Sequence, residues 1–250
     1  MVKNKNIIAI IPARGGSRGV PKKNIIDLGG YPLISYSIAC AKLSKHISRV
    51  IVSTDSQEIA DIAKKYGAEV PFMRPAEFAT DTAVDIDVIK HAMGWLRENE
   101  NFEPEYIVFL RPVTPLREPE LIDKAIEYLH ACPEATSLRS GWETREAPHK
   151  LFGKDGKFFT GLFPSDPRPE YYNLPRQAFA PVYQPDGYVD IWKTKTIKET
   201  GILHGDKILA FESPNSGELD TIKDLEFIKF NLQNNHYSIY DYLKEHFKND

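Results

Sequence analysis

From residue 7 to residue 130 the chain alternates short apolar runs with amphipathic stretches, and this alternation narrows its fold more than any other feature. Ile7–Pro12 and residues 106–110 read as strands buried on both faces, because scarcely a polar side chain interrupts them. Arg49–Ser53 is a third such run. Residues 32–45, 56–66, 82–97 and 118–130 have helical character; in 82–97, Ile86, Ile89, Met93 and Leu96 fall on one face. Gly67 is placed to end the second helix, and 69–72 is expected as a brief strand. Strands joined by helical crossovers imply a mostly parallel sheet with helices on both faces, an α/β, Rossmann-like fold.

The pattern breaks near residue 141. Residues 141–185 are rich in proline, aromatics and arginine and have no clean period. A structureless excursion of that length is uncommon inside a compact domain, so a hairpin-like arm or a cover for a neighbouring subunit is expected. Alternation resumes with 188–192, 207–211 and a helical stretch at 221–233, and Tyr237, Tyr240, Tyr242 and Leu243 mark a short docked helix. The expected organisation is one domain over 1–250, with 141–185 as an inserted arm.

The first apolar run empties into Ala13-Arg14-Gly15-Gly16-Ser17-Arg18-Gly19-Val20-Pro21-Lys22-Lys23-Asn24, with three glycines, four basic residues and one hydroxyl. Glycine lets backbone N–H groups turn toward an anion, and the basic side chains add charge where a polyphosphate would lie. The spacing is neither that of a P-loop nor a full dinucleotide fingerprint, and Pro21 would disrupt the helix the latter requires. The loop reads as a nucleoside triphosphate loop, with a solvated surface turn as the alternative.

Composition sets the outer limits. The formal net charge of −3 argues against a general nucleic-acid binder. No apolar run approaches the ~20 residues that span a bilayer, and the first residues lack a signal-peptide pattern, so the expected location is the cytoplasm. Cys40 and Cys132 have no metal-ligand spacing and are expected to be reduced. The seven histidines are scattered, and no Ser-His-Asp or Cys-His arrangement is evident.

Ligands of an open parallel sheet bind beyond the carboxyl ends of its strands, and further polar clusters fall there. Ser53-Thr54-Asp55 follows one strand, and Asp55 reads first as a cap for the next helix. Arg74-Pro75 and Thr80-Asp81-Thr82-Ala83 precede the third helix, where Asp81 or Thr82 serves either as its cap or as a ligand contact. Arg111-Pro112-Val113-Thr114-Pro115-Leu116-Arg117 describes a rigid cationic rim suited to a carboxylate or phosphate. In Glu218-Leu219-Asp220, extended backbone would turn both carboxylates one way, toward a site for Mg²⁺, unless Asp220 only caps the helix that follows.

Together these segments resemble the acylneuraminate cytidylyltransferases, the CMP-sialic acid synthetase family. The likeness rests on Ile11 to Asn24, Ile51-Val52-Ser53-Thr54-Asp55, Arg74-Pro75-Ala76-Glu77 with Asp81-Thr82-Ala83, Arg111 to Arg117, and Glu218-Leu219-Asp220-Thr221 with Asp224-Leu225. It extends over nearly the whole chain. The resemblance implies Mg²⁺-dependent attack of the anomeric hydroxyl of a 2-keto sugar acid on the α-phosphorus of CTP. Pyrophosphate then leaves and a CMP-sugar forms.

In this resemblance Arg14, Ser17, Arg18 and Lys23 cradle the triphosphate with the Ala13-Arg14-Gly15-Gly16 backbone. Arg14, Lys23 and Asp220 carry the chemistry. Asn24, Arg74 and the backbone around Ala83 read cytosine and ribose, while Arg111, Thr114, Gln184 and Asp186 face the sugar acid. Glu218 and Asp220 hold Mg²⁺, and the 141–185 arm makes a homodimer.

Four departures stand out. Arg18 replaces the family's usual lysine, and Glu218 replaces the first of two aspartates. Arg111 stands where sialic acid enzymes usually carry glutamine. The family's R-P-N-G-A-I-Y segment reads here Gln184-Pro185-Asp186-Gly187-Tyr188-Val189-Asp190. Exchanging amides for a guanidinium and a carboxylate changes what the pocket can pair with, so a related ulosonic acid is the expected acceptor. Transfer of another nucleotide, transfer to a Kdo-type acid, and a non-catalytic nucleotide-sugar binder remain as alternatives.

Overall fold

The computed structural model describes residues 6–17 and 19–247. Its centre is a six-stranded sheet built from β1 (Ile7–Pro12), β4 (Arg49–Ser53), β5 (Tyr106–Phe109), β6 (Ser137–Glu143), β9 (Tyr183–Lys193) and β10 (Ile208–Glu212), in the order β10-β6-β9-β5-β1-β4. β1 runs parallel to β4 and β5, and β10 parallel to β6; β9 is antiparallel to both its neighbours. A short ladder of β2 (Asp27–Leu28) and β3 (Tyr31–Pro32) follows the first loop.

Strand side chains alternate between faces, and β1 displays this directly. Ile7, Ala9 and Ile11 enter a core shared with α1 (Leu33–Leu43), α2 (Gln57–Lys65), α4 (Pro119–His130), α6 (Ile222–Asn234) and α7 (Ser238–His246). Ile8 and Ile10 enter a second core with α3 (Asp85–Glu100) and α5 (Thr194–Thr200). Helices therefore cover both faces of a mostly parallel sheet, as the alternation predicts. The expected strand at 69–72 is only a single bridge, Glu69 to Ile51, because Pro71 has no N–H to extend the pairing.

The excursion departs from its predicted boundaries. Gly141, Trp142 and Glu143 pair with Pro185, Gln184 and Tyr183, so both ends of 141–185 belong to the central sheet. A register shift between Arg139 and Gly141 breaks the alternation that would have marked β6. Beyond the sheet, the chain forms a hairpin of β7 (Phe152–Asp155) and β8 (Phe158–Gly161) and returns through short 3₁₀ turns. His149 is stacked between Phe163 and Phe179, with centroids 4.1 and 4.5 Å away, and fastens the base of this excursion. Among the described residues, no helix is long and apolar enough to cross a membrane.

Arg117 overturns the expectation of a cationic rim. Its side chain is fully buried and donates to the carbonyls of Arg111 (2.6 Å), Gly187 (2.6 Å) and Tyr188 (2.5 Å) and to Ser37 Oγ (2.9 Å). Burial lowers its pKa to about 10, which leaves it charged at neutral pH. It links α1, the loop after β5 and β9 instead of facing a ligand. Arg117→Met would leave these acceptors unsatisfied at about 1–3 kcal/mol each, so a loss of about 3 kcal/mol or more in urea unfolding is expected. A loss below about 1 kcal/mol would mean water replaces the guanidinium.

Candidate active site

The loop after β1 is tied to the end of β4. Ala13 N donates to Ser53 O (3.0 Å), Gly15 N to Asp55 Oδ1 (2.8 Å), and Asn24 Nδ2 returns to Arg14 O (2.9 Å). Asp55 thus holds the loop and does not cap α2; Ser56 caps it, its side chain accepting from Ile59 N. A similar correction applies to α3, which starts at Asp85 after Val84 with no side-chain cap. Asp81 instead pairs with Arg14 (2.8 Å), and Arg14 also donates to Thr80 O (2.8 Å).

Across this loop lies the segment before α6. Thr221 and Asp224 form a capping box, and the Asp224 carboxylate also accepts from Asp220 N (3.0 Å). Asp220 is therefore held ahead of the helix rather than acting as its cap. A Cβ on Gly19 would lie 2.6 Å from Asp220 O, so only glycine permits this approach of the loop to the segment. The approach sets Lys23 Nζ 3.2 Å from Asp220 Oδ1.

These elements enclose a cleft of about 450 Å³ beyond the carboxyl ends of β1, β4 and β5. Arg14, Ser17, Lys23, Asn24, Arg74, Ala83, Arg111 and Asp220 line it, as do Asp81 and Asp85. Ala13 is buried beneath it, Gly15 and Gly16 are in the loop but off its lining, and Arg18 lies outside the described residues. Arg74 is buried, donating to Ser53 Oγ (3.1 Å), to Ser53 O and to Phe78 O (3.4 Å). Burial lowers its pKa to about 10, partly offset by Asp55 and Asp85.

The four remaining residues gather elsewhere. Thr114, Gln184, Asp186 and Glu218 line a second cavity of about 210 Å³. The segments 113–114 and 218–220 form the wall between the two cavities, pinned by Leu219 N donating to Val113 O (2.8 Å). The expectation that Glu218 and Asp220 face one way fails: Asp220 opens on the large cleft, while Glu218 turns to the small cavity and accepts from Gly187 N. A side chain at Gly187 would meet Glu218 Oε1 at 2.7 Å and Thr114 Oγ1 at 2.6 Å, so this wall also requires glycine. Thr114 Oγ1 is buried without a hydrogen-bond partner. Asp186 is internally satisfied by Ser140 Oγ (2.5 Å), Ser213 Oγ (2.6 Å) and Tyr188 N (3.0 Å).

Arg111 bridges Asp85 (2.5 Å) and Asp190 (2.7 Å) with its guanidinium 4.9 Å from the Phe109 ring centroid. Burial works against its charge, but the two carboxylates outweigh it, and its pKa is raised. Neither partner was singled out from sequence as a site residue. An acid in the first turn of a helix reads as ordinary dipole complementation. Asp190 left a clearer signal, a carboxylate inside the apolar run Tyr188-Val189-Asp190-Ile191-Trp192.

A family model described as Cytidylyltransferase matches residues 8–153. Pseudaminic acid cytidylyltransferase of Campylobacter jejuni is 30% identical over 235 residues, 93% of this chain and 99% of that protein. CMP-N,N'-diacetyllegionaminic acid synthase of Legionella pneumophila is 42% identical over 123 residues, a stretch covering 48% of this chain and about half (52%) of that protein's length. Among solved structures, a CMP:2-keto-3-deoxy-manno-octonic acid synthetase complexed with CTP superposes with a TM-score of 0.66 over 92% of this chain and 99% of that one; at 16% identity this likeness speaks for the fold. A family model spanning more than half of the chain, and a relative aligned over almost all of it, show that the chain belongs to the cytidylyltransferase family.

Proposed function

We propose that this chain transfers CMP from CTP to the anomeric hydroxyl of a 2-keto sugar acid and releases pyrophosphate. The observation that carries the proposal is the meeting of Arg14, Lys23, Arg111 and Asp220 around one cleft, although they come from separate strand ends and a late helix start. The sugar acids for which the Campylobacter and Legionella relatives are named support a sugar-acid acceptor.

In the reaction the acceptor's anomeric oxygen bonds to the α-phosphorus, the bond from that phosphorus to the bridging oxygen breaks, and the hydroxyl proton is lost. The protein's task is to position groups and neutralise charge. Arg14 and Lys23 are paired with Asp81 and Asp220, whose side chains are 44% and 70% exposed, and they can exchange these partners for phosphate oxygens. Ser17 lines the same cleft and adds its hydroxyl to the cradle, while Ala13 N and Gly15 N, already given to Ser53 O and Asp55 Oδ1, hold the loop in place. Arg74, Asn24 and Ala83 shape the part of the cleft for base and ribose and Arg111 serves the acid, whereas Thr114, Gln184 and Asp186 line the neighbouring cavity behind the wall.

Asp220 also suits Mg²⁺, which takes oxygen ligands and often binds through one or two carboxylates plus substrate phosphates. Among the described residues no group of three or more His, Cys, Asp or Glu side chains is placed to hold a metal, which fits a site completed by substrate. Glu218 would join it only by leaving Gly187 N. When bound, the cation supplies charge neutralisation at the leaving pyrophosphate.

A homodimer fits the exposed apolar side chains of the hairpin, among them Phe158 (67% exposed) and Phe159 (74% exposed). Use of CTP and an acid substrate also fits a cytoplasmic location.

Pyrophosphate release with Mg²⁺ is expected from CTP, and not from ATP, GTP or UTP, with one acid of a panel. The panel holds N-acetylneuraminate, pseudaminic acid, N,N'-diacetyllegionaminic acid and 2-keto-3-deoxy-manno-octonic acid. Lys23→Ala should lower kcat/KM by about 2–4 kcal/mol of transition-state stabilisation, and near-normal turnover would remove Lys23 from the site. Asp220→Asn should abolish Mg²⁺-dependent turnover; an unchanged Mg²⁺ titration would sink the metal assignment. Light scattering should give a dimer for the native chain and a monomer for the double variant Phe158→Asp, Phe159→Asp.

A further inference from the structure

Three cations line the cleft with carboxylate partners, and their partners differ in one respect. Asp81 beside Arg14 and Asp220 beside Lys23 are exposed, whereas the Asp190 side chain that binds Arg111 is 0% exposed. An exposed pair is weak and screened by water, so a ligand anion can replace its carboxylate. A fully buried carboxylate leaves its guanidinium only at a much larger desolvation cost, even with the partly exposed Arg139 3.5 Å away.

Asp190 is fixed by the sheet itself. It sits on β9 opposite Phe109 of β5 and Arg139 of β6, on the face covered by α3. One oxygen accepts from Arg111 Nη1 at 2.7 Å; the other lies 3.5 Å from Arg139 Nε and makes no hydrogen bond. Arg111 thus has one permanent partner, Asp190, and one exchangeable partner, Asp85, whose side chain is 40% exposed at the cleft. Arg111 and Asp190 are also two of the positions at which this sequence departs from the family it resembles, and they are each other's ion-pair partners.

We propose that the Arg111–Asp190 pair is a socket for the carboxylate of the acceptor, in which Asp190 positions Arg111 and the substrate's carboxylate takes the place of Asp85. Arg111 touches the substrate; Asp190 acts only through Arg111. A planar guanidinium held along one edge presents its remaining N–H groups in a fixed direction, which suits bidentate capture of a carboxylate. The proposal rests on the transferase reading, and it identifies the part of the acceptor read at this end of the cleft.

The test is steady-state kinetics with CTP and N,N'-diacetyllegionaminic acid or whichever acid of the panel is turned over. Native protein is compared with Arg111→Gln, Asp190→Asn, the double variant and Asp85→Asn. Arg111→Gln and Asp190→Asn should each raise the acid's KM about tenfold or more while the KM for CTP moves less than about threefold. In the double variant Asp190→Asn should add nothing to Arg111→Gln, because it has no guanidinium left to position. The double variant also removes both charges of the pair, so it reports even if Asp190→Asn alone folds poorly. Asp85→Asn should lower the acid's KM by removing the competing carboxylate.

The carboxamide analogue of the acid gives a second readout. Native protein should prefer the acid strongly, and Arg111→Gln should lose most of that preference. A rise in the KM for CTP instead would assign Arg111 to the triphosphate and overturn the proposal. An Asp190→Asn effect that persists undiminished in the Arg111→Gln background would make Asp190 merely structural and also overturn it. In both cases native turnover stands, and with it the transferase reading. No turnover by native protein with any acid would instead overturn that reading and the socket together.

Discussion

One buried cation holds together the elements that form the site. The Arg117 guanidinium binds the carbonyls of Arg111, Gly187 and Tyr188 and the hydroxyl of Ser37. Arg111 lines the large cleft, and Gly187 supports the wall of the small cavity through Glu218. The Tyr188 hydroxyl oxygen in turn accepts from Glu118 N at the start of α4. The loop after β5 has two prolines and little regular pairing of its own. Without a multivalent donor beneath it, its carbonyls would face the core unpaired. The arginine's length and five N–H groups let one side chain satisfy four acceptors on three elements.

Above that foundation the cleft is arranged by how firmly each charge is held. Arg14 and Lys23 have partners within reach of water, so their charges are available to a polyphosphate at small cost. Arg74 is spent on Ser53 and Phe78 and shapes the wall. Arg111 lies between these extremes. The cleft therefore contains both exchangeable and fixed charge.

Much of this was legible in the sequence, and the failures have physical causes. Ile7–Pro12 and Tyr106–Phe109 were readable as strands because both faces are buried and no polar residue breaks them. β6 was not: Ser137-Leu138-Arg139-Ser140-Gly141-Trp142-Glu143 carries a bulge, and its two serines serve internal bonds rather than solvent. The place of the loop at the cleft announced itself by composition, since glycines and cations adjoin a strand end. Caps were misassigned by one or more residues, with Ser56 and Thr221 in place of Asp55 and Asp220, because several good cap formers stand side by side. The divergence of Glu218 from Asp220 depends on Gly187, some thirty residues away, and no local pattern could reveal it. Asp190 is an anomaly in an apolar strand, but only the folded structure shows that its carboxylate meets Arg111.

The contact between Lys23 and Asp220 joins residues 197 positions apart, and Tyr240 reaches Gly29 across 211. The glycine-rich loop is made early during synthesis, yet its counter-charge is carried by a segment that emerges when almost nine-tenths of the chain is complete. A ribosome-bound or truncated chain can thus pair β1 with β4 and β5 long before it has a cleft. Closure by α6 and α7 is a late, long-range event of the kind that slows folding. The loop therefore acquires its opposite wall only when the last helices dock.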